Sequence, residues 1–170
     1  MRSHRPVYET REDLAAEEEA AKTIGETLQR QDPSLYMIKT SALYPYDYLM
    51  MKKQPDDKNG SWVLSTVEGL IEIKVRTNVF KKYSTYMISL QKVVNCVSHA
   101  DIIGCDFFLY VQWTNGIGWW KFDRNQYTVN FGGRTDRGDS ADVEPVLYIP
   151  IEHFNWSRNP LLDQDNEGPS

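Results

Sequence analysis

Between Leu70 and Arg76 the chain alternates without a break, with Ile71, Ile73 and Val75 on one side and Leu70, Glu72, Lys74 and Arg76 on the other. A period of two is the signature of a β-strand, so this segment has one face for a core and a second face to account for. That second face is unusual. It sets an acid and a lysine two residues apart beside apolar neighbours, where burial ordinarily excludes charge.

Charge along the chain is segregated around the same segment. The 170 residues carry 24 Asp and Glu against 19 Lys and Arg, a net charge of −5 that does not advertise a polyanion partner. Yet no acid occurs from Ile73 to Ala100, where Lys74, Arg76, Lys81, Lys82 and Lys92 all fall. Such a basic stretch in an acidic chain is an electrostatic footprint for phosphates.

An acid and an ammonium on one strand suit phosphodiester cleavage. That reaction needs a cation on the non-bridging oxygens, an acidified water and a stabilised leaving oxygen. Hard carboxylate oxygens bind Mg²⁺, and a neighbouring ammonium can hold the attacking water or the developing charge. Glu72 and Lys74 provide one carboxylate and the ammonium. Asp47 provides the second carboxylate, in a stretch, 44–51, otherwise apolar and aromatic, where strand propensity disfavours aspartate.

The remaining pattern predicts an α/β sandwich. Leu14, Ala21, Ile24 and Leu28 recur at helical steps over 13–30, and Asp32-Pro33 ends that helix. Residues 35–40 and 45–52 read as strands, 54–60 as a turn, and 62–66 as a short strand. Ser89 caps a second helix whose apolar side is Leu90, Val93, Val94 and Val97, leaving Lys92, Asn95 and His99 on the polar side. Residues 106–113 and 118–122 form a hairpin around Asn115-Gly116, 145–151 a last strand, and the polar stretch 130–142 a mobile loop suited to substrate. The domain is expected to span 13–156, between a flexible N-terminus (1–12) and a flexible acidic tail (157–170).

Asp47, then Glu72-Ile73-Lys74 after an intervening turn, with a glutamate-bearing helix before and a helix with a polar face after, resembles the PD-(D/E)XK nuclease superfamily. The resemblance covers about 13–113. One position departs from it: the proline lies two residues before the aspartate, Pro45-Tyr46-Asp47, rather than directly before it. It implies a restriction endonuclease-like fold, a central mixed β-sheet flanked by helices. It also implies a magnesium ion, replaceable by manganese, held by Asp47, Glu72 and the Ile73 backbone, with Lys74 catalytic. A first-helix glutamate would support the site, and among Glu17, Glu18 and Glu19 only Glu17 falls near the middle of the apolar stripe. Arg76, Lys81, Lys82 and Lys92 are then the substrate-binding cations, and DNA, single-stranded, duplex or branched, is the expected partner.

Other residues read more plainly. Tyr83 and Tyr86 are core residues before they are stacking platforms for bases, and Trp113, Trp119 and Trp120 are core or the surface of a homodimer. Cys96 and Cys105 show neither zinc-ligand spacing nor the density of a disulfide scaffold. No stretch approaches the ~20 apolar residues of a membrane span, so a soluble, cytoplasmic protein is expected, of phage origin by the resemblance. Two rival readings use the same fold, a binding module without turnover and an inhibitory or structural interaction protein. A metal-dependent cleavage assay separates them.

Overall fold

The alternating segment is the end of a longer strand in the computed structural model, which describes residues 10–54, 65–133 and 143–158. In chain order the elements are α1 (Arg11–Gln31), β1 (Leu35–Lys39), β2 (Tyr48–Lys53), β3 (Ser65–Val75), β4 (Thr85–Ser89), α2 (Leu90–Ile103), β5 (Asp106–Trp113), β6 (Gly116–Lys121), β7 (Thr128–Gly133), β8 (Val143–Pro150) and β9 (Asn155–Arg158). Six strands form one sheet in the order β1-β2-β3-β5-β6-β9, and β4-β8-β7 form a second. Only β3 and β5 run parallel, so the chain must cross over between them, and it does so through β4 and α2.

The two faces of β3 divide the core. Ile71 and Ile73 face α1, where Ala20, Ala21, Ile24 and Leu28 pack with Tyr48, Met50 and Tyr110. Leu70 faces the other side, where Val93, Cys96 and Ala100 of α2 pack with Leu109, Val111, Leu147 and Ile149. Glu72 and Lys74 share the face of Leu70 and so point toward α2 and the small sheet. This is the α/β architecture that the pattern predicts and the mixed sheet flanked by helices that the resemblance implies.

Local chemistry explains the helix ends. Thr10 and Asp13 form a reciprocal capping box, Asp13 N–H donating to Thr10 Oγ1 at 3.1 Å and Thr10 N–H to Asp13 Oδ2 at 3.0 Å. The helix therefore starts at Arg11 rather than 13, and its first turn overhangs the sheet, leaving Leu14, expected in the apolar stripe, 42% exposed. Ser89 precedes α2 as expected but makes no side-chain cap, because it is also the last residue of β4, paired with Val146. Gly104 ends α2 at φ 79°, a left-handed conformation that glycine adopts without a Cβ clash.

Several expectations change. Strand β2 begins at Tyr48, not 45, since residues 41–47 bend, and Asp47 therefore precedes its strand rather than interrupting it. Residues 130–133, expected in a loop, belong to β7, where pairing with β8 satisfies their backbone. The rest of that stretch, 134–142, lies outside the described residues, as do 55–60 of the turn expected at 54–60 and 62–64 of the strand expected at 62–66, whose last two residues open β3. Ser157 and Arg158, expected in a flexible tail, pair with Ile117 and Gly116 as part of β9. Tyr86, Trp113 and Trp120 are buried in the core, whereas Tyr83 is exposed. Trp119 is half-buried in an open apolar groove with Phe108, Tyr110 and Ile117. Among the described residues no helix is long and apolar enough to cross a membrane.

Candidate active site

Asp47 reaches β3 through its own backbone and side chain. Its N–H donates to Ile71 O at 2.9 Å, and its Oδ2 accepts from Ile73 N–H at 2.8 Å. The bend 41–47 is held from both sides, by Thr40 N–H donating to Asp47 O at 2.9 Å and by the buried Cys96 thiol donating to Pro45 O at 3.1 Å. A strand residue's C=O leaves on the same edge as its N–H, so the Ile73 carbonyl lies on the edge that meets Asp47.

Glu72 is wholly buried, yet two ammonium groups reach it. Lys74 Nζ lies 2.5 Å from Oε1 and Lys92 Nζ 2.8 Å from Oε2, each lysine side chain being 31% exposed. Each Glu72 oxygen is thus held by an ammonium, whereas the buried Tyr86 hydroxyl has no hydrogen-bond partner among the described residues. Tyr86 joins this cluster electrostatically. Burial pushes its hydroxyl up to about 12 against the pull of Arg76 and Lys74, and the Arg76 guanidinium lies 5.1 Å from its ring centre.

Burial also dominates the titration of Glu72. It pushes the carboxyl up to about 7; Lys74 and Lys92 pull it down, and Asp47 adds to the rise by repulsion. Burial pulls Lys74 down, but the Glu72 and Asp47 carboxylates outweigh it and hold the ammonium above its ordinary value. The two directions agree if the carboxylate bears the desolvation and the lysine keeps its charge.

The sign of the stability effect follows. Between the ordinary value of 4.5 and about 7, the folded protein binds a proton at Glu72 that the unfolded chain does not. The stability this contributes is full below 4.5 and is lost as pH rises through 7, on the order of 3 kcal/mol in all. Urea unfolding of metal-free protein should therefore show Glu72→Gln gaining on the wild type across that window. A difference between the two proteins that does not change with pH would contradict the assigned burial.

The other expected site residues scatter. Glu17 is on the α1 side of the sheet, its Oε1 3.8 Å from Lys39 Nζ and its charge felt at Tyr48, the residue after Asp47. Glu18 and Glu19 are exposed. Lys81 and Lys82 are exposed in the β3–β4 connection, and with Arg76 they make no ion pair among the described residues. Lys92, expected on the polar side of α2, is instead inside the site. Its one sequence signal is position, since it lies four residues before buried Cys96, at the margin of the Val93, Cys96 and Ala100 stripe. Cys96 and Tyr86 carried no signal of their own.

The oxygen donors fit a hard divalent cation. Asp47 is near enough to Glu72 for their carboxylates to repel, and the Ile73 carbonyl lies on the strand edge that meets Asp47. Among the described residues no three His, Cys, Asp or Glu side chains gather as a metal cluster.

A mixed sheet flanked by helices, with Asp47 just before β2 and Glu72 and Lys74 on β3, is the arrangement that carries the resemblance to PD-(D/E)XK nucleases. The chain belongs to the family described as "Phage putative PDDEXK endonuclease", whose model matches residues 3–157. It is accordingly a nuclease, a hydrolase of phosphodiester bonds with nucleic acid as substrate. Among solved structures, Hjc of Archaeoglobus fulgidus, a Holliday junction resolvase from an archaeal hyperthermophile, is similar with a TM-score of 0.42 and 15% identity, over 77% of this chain and 84% of that one. No curated protein matches the chain.

Proposed function

We propose that this nuclease cuts DNA with Mg²⁺, or Mn²⁺ in its place, held by Asp47, Glu72 and the Ile73 carbonyl, and that Lys74 is catalytic. One observation carries the reading: Asp47, from outside its strand, is tied to Ile73 N–H at 2.8 Å, between Glu72 and Lys74. A bound magnesium ion would supply positive charge for the phosphoryl oxygens and acidity for the attacking water.

The chain's own groups do the rest. The Lys74 ammonium, partly exposed and kept charged by two carboxylates, faces the phosphate and stabilises charge as the bond breaks. Arg76, seated on Tyr86, is placed to clamp a neighbouring phosphate. Lys81 and Lys82, which make no ion pair among the described residues, follow the backbone away from the cut. Cleavage of single-stranded, duplex and branched DNA, and of RNA, with Mg²⁺ and with chelator, tests this reading. Cutting that persists in chelator, or is confined to RNA, would refute it.

The role of Lys81 and Lys82 has its own test. DNA affinity in Ca²⁺ should fall as salt rises, because each neutralised phosphate releases counterions. Reversing both charges, Lys81→Glu with Lys82→Glu, should reduce the slope of log affinity against log salt by about two. An unchanged slope would remove this connection from the interface.

A further inference from the structure

Lys92 completes a symmetry that a metal-binding carboxylate would have to break. Glu72 has two oxygens, and an ammonium sits on each, Lys74 at 2.5 Å from Oε1 and Lys92 at 2.8 Å from Oε2. A cation that binds this buried carboxylate must meet one of them.

The two lysines differ in their freedom to leave. Lys74 is two residues from Glu72 on the same strand, in register with Val111 of β5, so its side chain starts on the same face at a fixed distance. Lys92 comes from another element, the first turn of α2, on a flexible four-carbon stem that is 31% exposed. It can turn its ammonium into water without moving backbone.

Charge balance points the same way. With both carboxylates charged, Asp47 and Glu72 are matched by Lys74 and Lys92 and the four side chains carry no net charge. A divalent cation added to all four would leave a net charge of about +2 in a largely buried space, which is unfavourable there. Releasing Lys92 to solvent halves that excess.

We propose that Lys92 is a resident substitute for the metal: it holds Glu72 Oε2 in the metal-free protein, is displaced when a divalent cation binds, and thereby sets the metal affinity. This rests on the reading of Asp47 and Glu72 as metal ligands. Lys92 is then a positioning residue that holds the buried carboxylate in place until the metal arrives.

Titration calorimetry of chelator-treated protein with Mg²⁺ alone and Mn²⁺ alone, together with melting temperatures, tests it on three proteins. Lys92→Met should bind either metal about tenfold more tightly than the wild type, the ratio that ~1.4 kcal/mol of relieved competition gives. Its metal-free melting temperature should fall by about 3 °C or more, since Glu72 keeps only one partner, and metal should restore it. Lys92→Arg should behave oppositely. Its guanidinium grips a carboxylate with two donors, so metal-free stability stays close to wild type and metal affinity falls. If Lys92→Met does not fold without metal, the weakened metal binding of Lys92→Arg decides alone. Wild-type metal affinity in both variants, or weaker binding in Lys92→Met, would overturn this inference and leave the metal reading intact. No metal binding in any of the three proteins would overturn both.

Discussion

Lys74→Met is expected to slow cleavage by on the order of 10²–10³-fold while leaving Ca²⁺-supported DNA binding nearly unchanged. The reasoning starts from geometry. Lys74 Nζ touches Glu72 Oε1 and is partly exposed, so the same ammonium that neutralises a buried carboxylate also presents charge to solvent where a phosphate would lie. An interaction made mainly in the transition state lowers kcat and kcat/KM together when removed, and leaves ground-state binding alone. Stability must be read separately. Without Lys74, Glu72 retains only Lys92, so metal-free protein should lose on the order of 1–3 kcal/mol, and rates should be compared well below the lower melting temperature. Single-turnover cleavage with saturating Mg²⁺, beside DNA binding in Ca²⁺, makes the measurement. Cleavage at the wild-type rate would remove Lys74 from catalysis.

Asp47→Asn should separate the two jobs that Asp47 performs. Its side chain accepts from Ile73 N–H at 2.8 Å, and an asparagine carbonyl can accept the same bond, so the bend 41–47 should stay attached to β3. Its charge, by contrast, repels Glu72 and helps to raise that carboxyl. Removing the charge should leave the metal-free protein as stable as the wild type or more so, by on the order of 1 kcal/mol. The variant should also lose cleavage. In the wild type, Mg²⁺ at a hundred times its Kd should add about 2.7 kcal/mol by mass action, visible as a raised melting temperature, and in Asp47→Asn that gain should vanish. Ca²⁺ should bind and support DNA binding with little turnover, because it accepts looser geometry. Equal metal responses in the two proteins would show that Asp47 is not a ligand.

Both experiments concern residues that stand out in the sequence itself, and the reason is local. The alternation at 70–76 puts Glu72 and Lys74 on one strand face whatever surrounds them, because the pleat has a period of two. The helical stripe of Ala21, Ile24 and Leu28 likewise marked the buried side of α1, and Glu17 proved the innermost of its three glutamates. Asp47 stood out by composition, although for a mistaken reason. It is not a misfit inside a strand but the last residue of a bend, bonded to β3 through Ile71 O and Ile73 N–H.

Relations between elements were not legible in this way. Nothing within 85–89, 128–133 or 143–150 says that these strands leave the main sheet and form a second one, since strand order is set by pairing across the whole chain. The partner of Glu72 on α2 was hidden for the same reason. Lys92 stands at the edge of an amphipathic stripe, where a lysine ordinarily lies in water, and only the docking of α2 over β3 brings its ammonium to Glu72 Oε2. Glu17 shows the converse. Its helix face was correctly read as inward, but inward on α1 means the Ile71 and Ile73 side of the sheet, away from the Glu72 side chain. The sequence by itself determined which residues share a face within one element, because backbone periodicity is a short-range property. Which face meets which, and hence that Glu72 lies buried between two lysines with Asp47 beside it, was decided by the tertiary structure, because burial and long-range pairing exist only once the layers have packed.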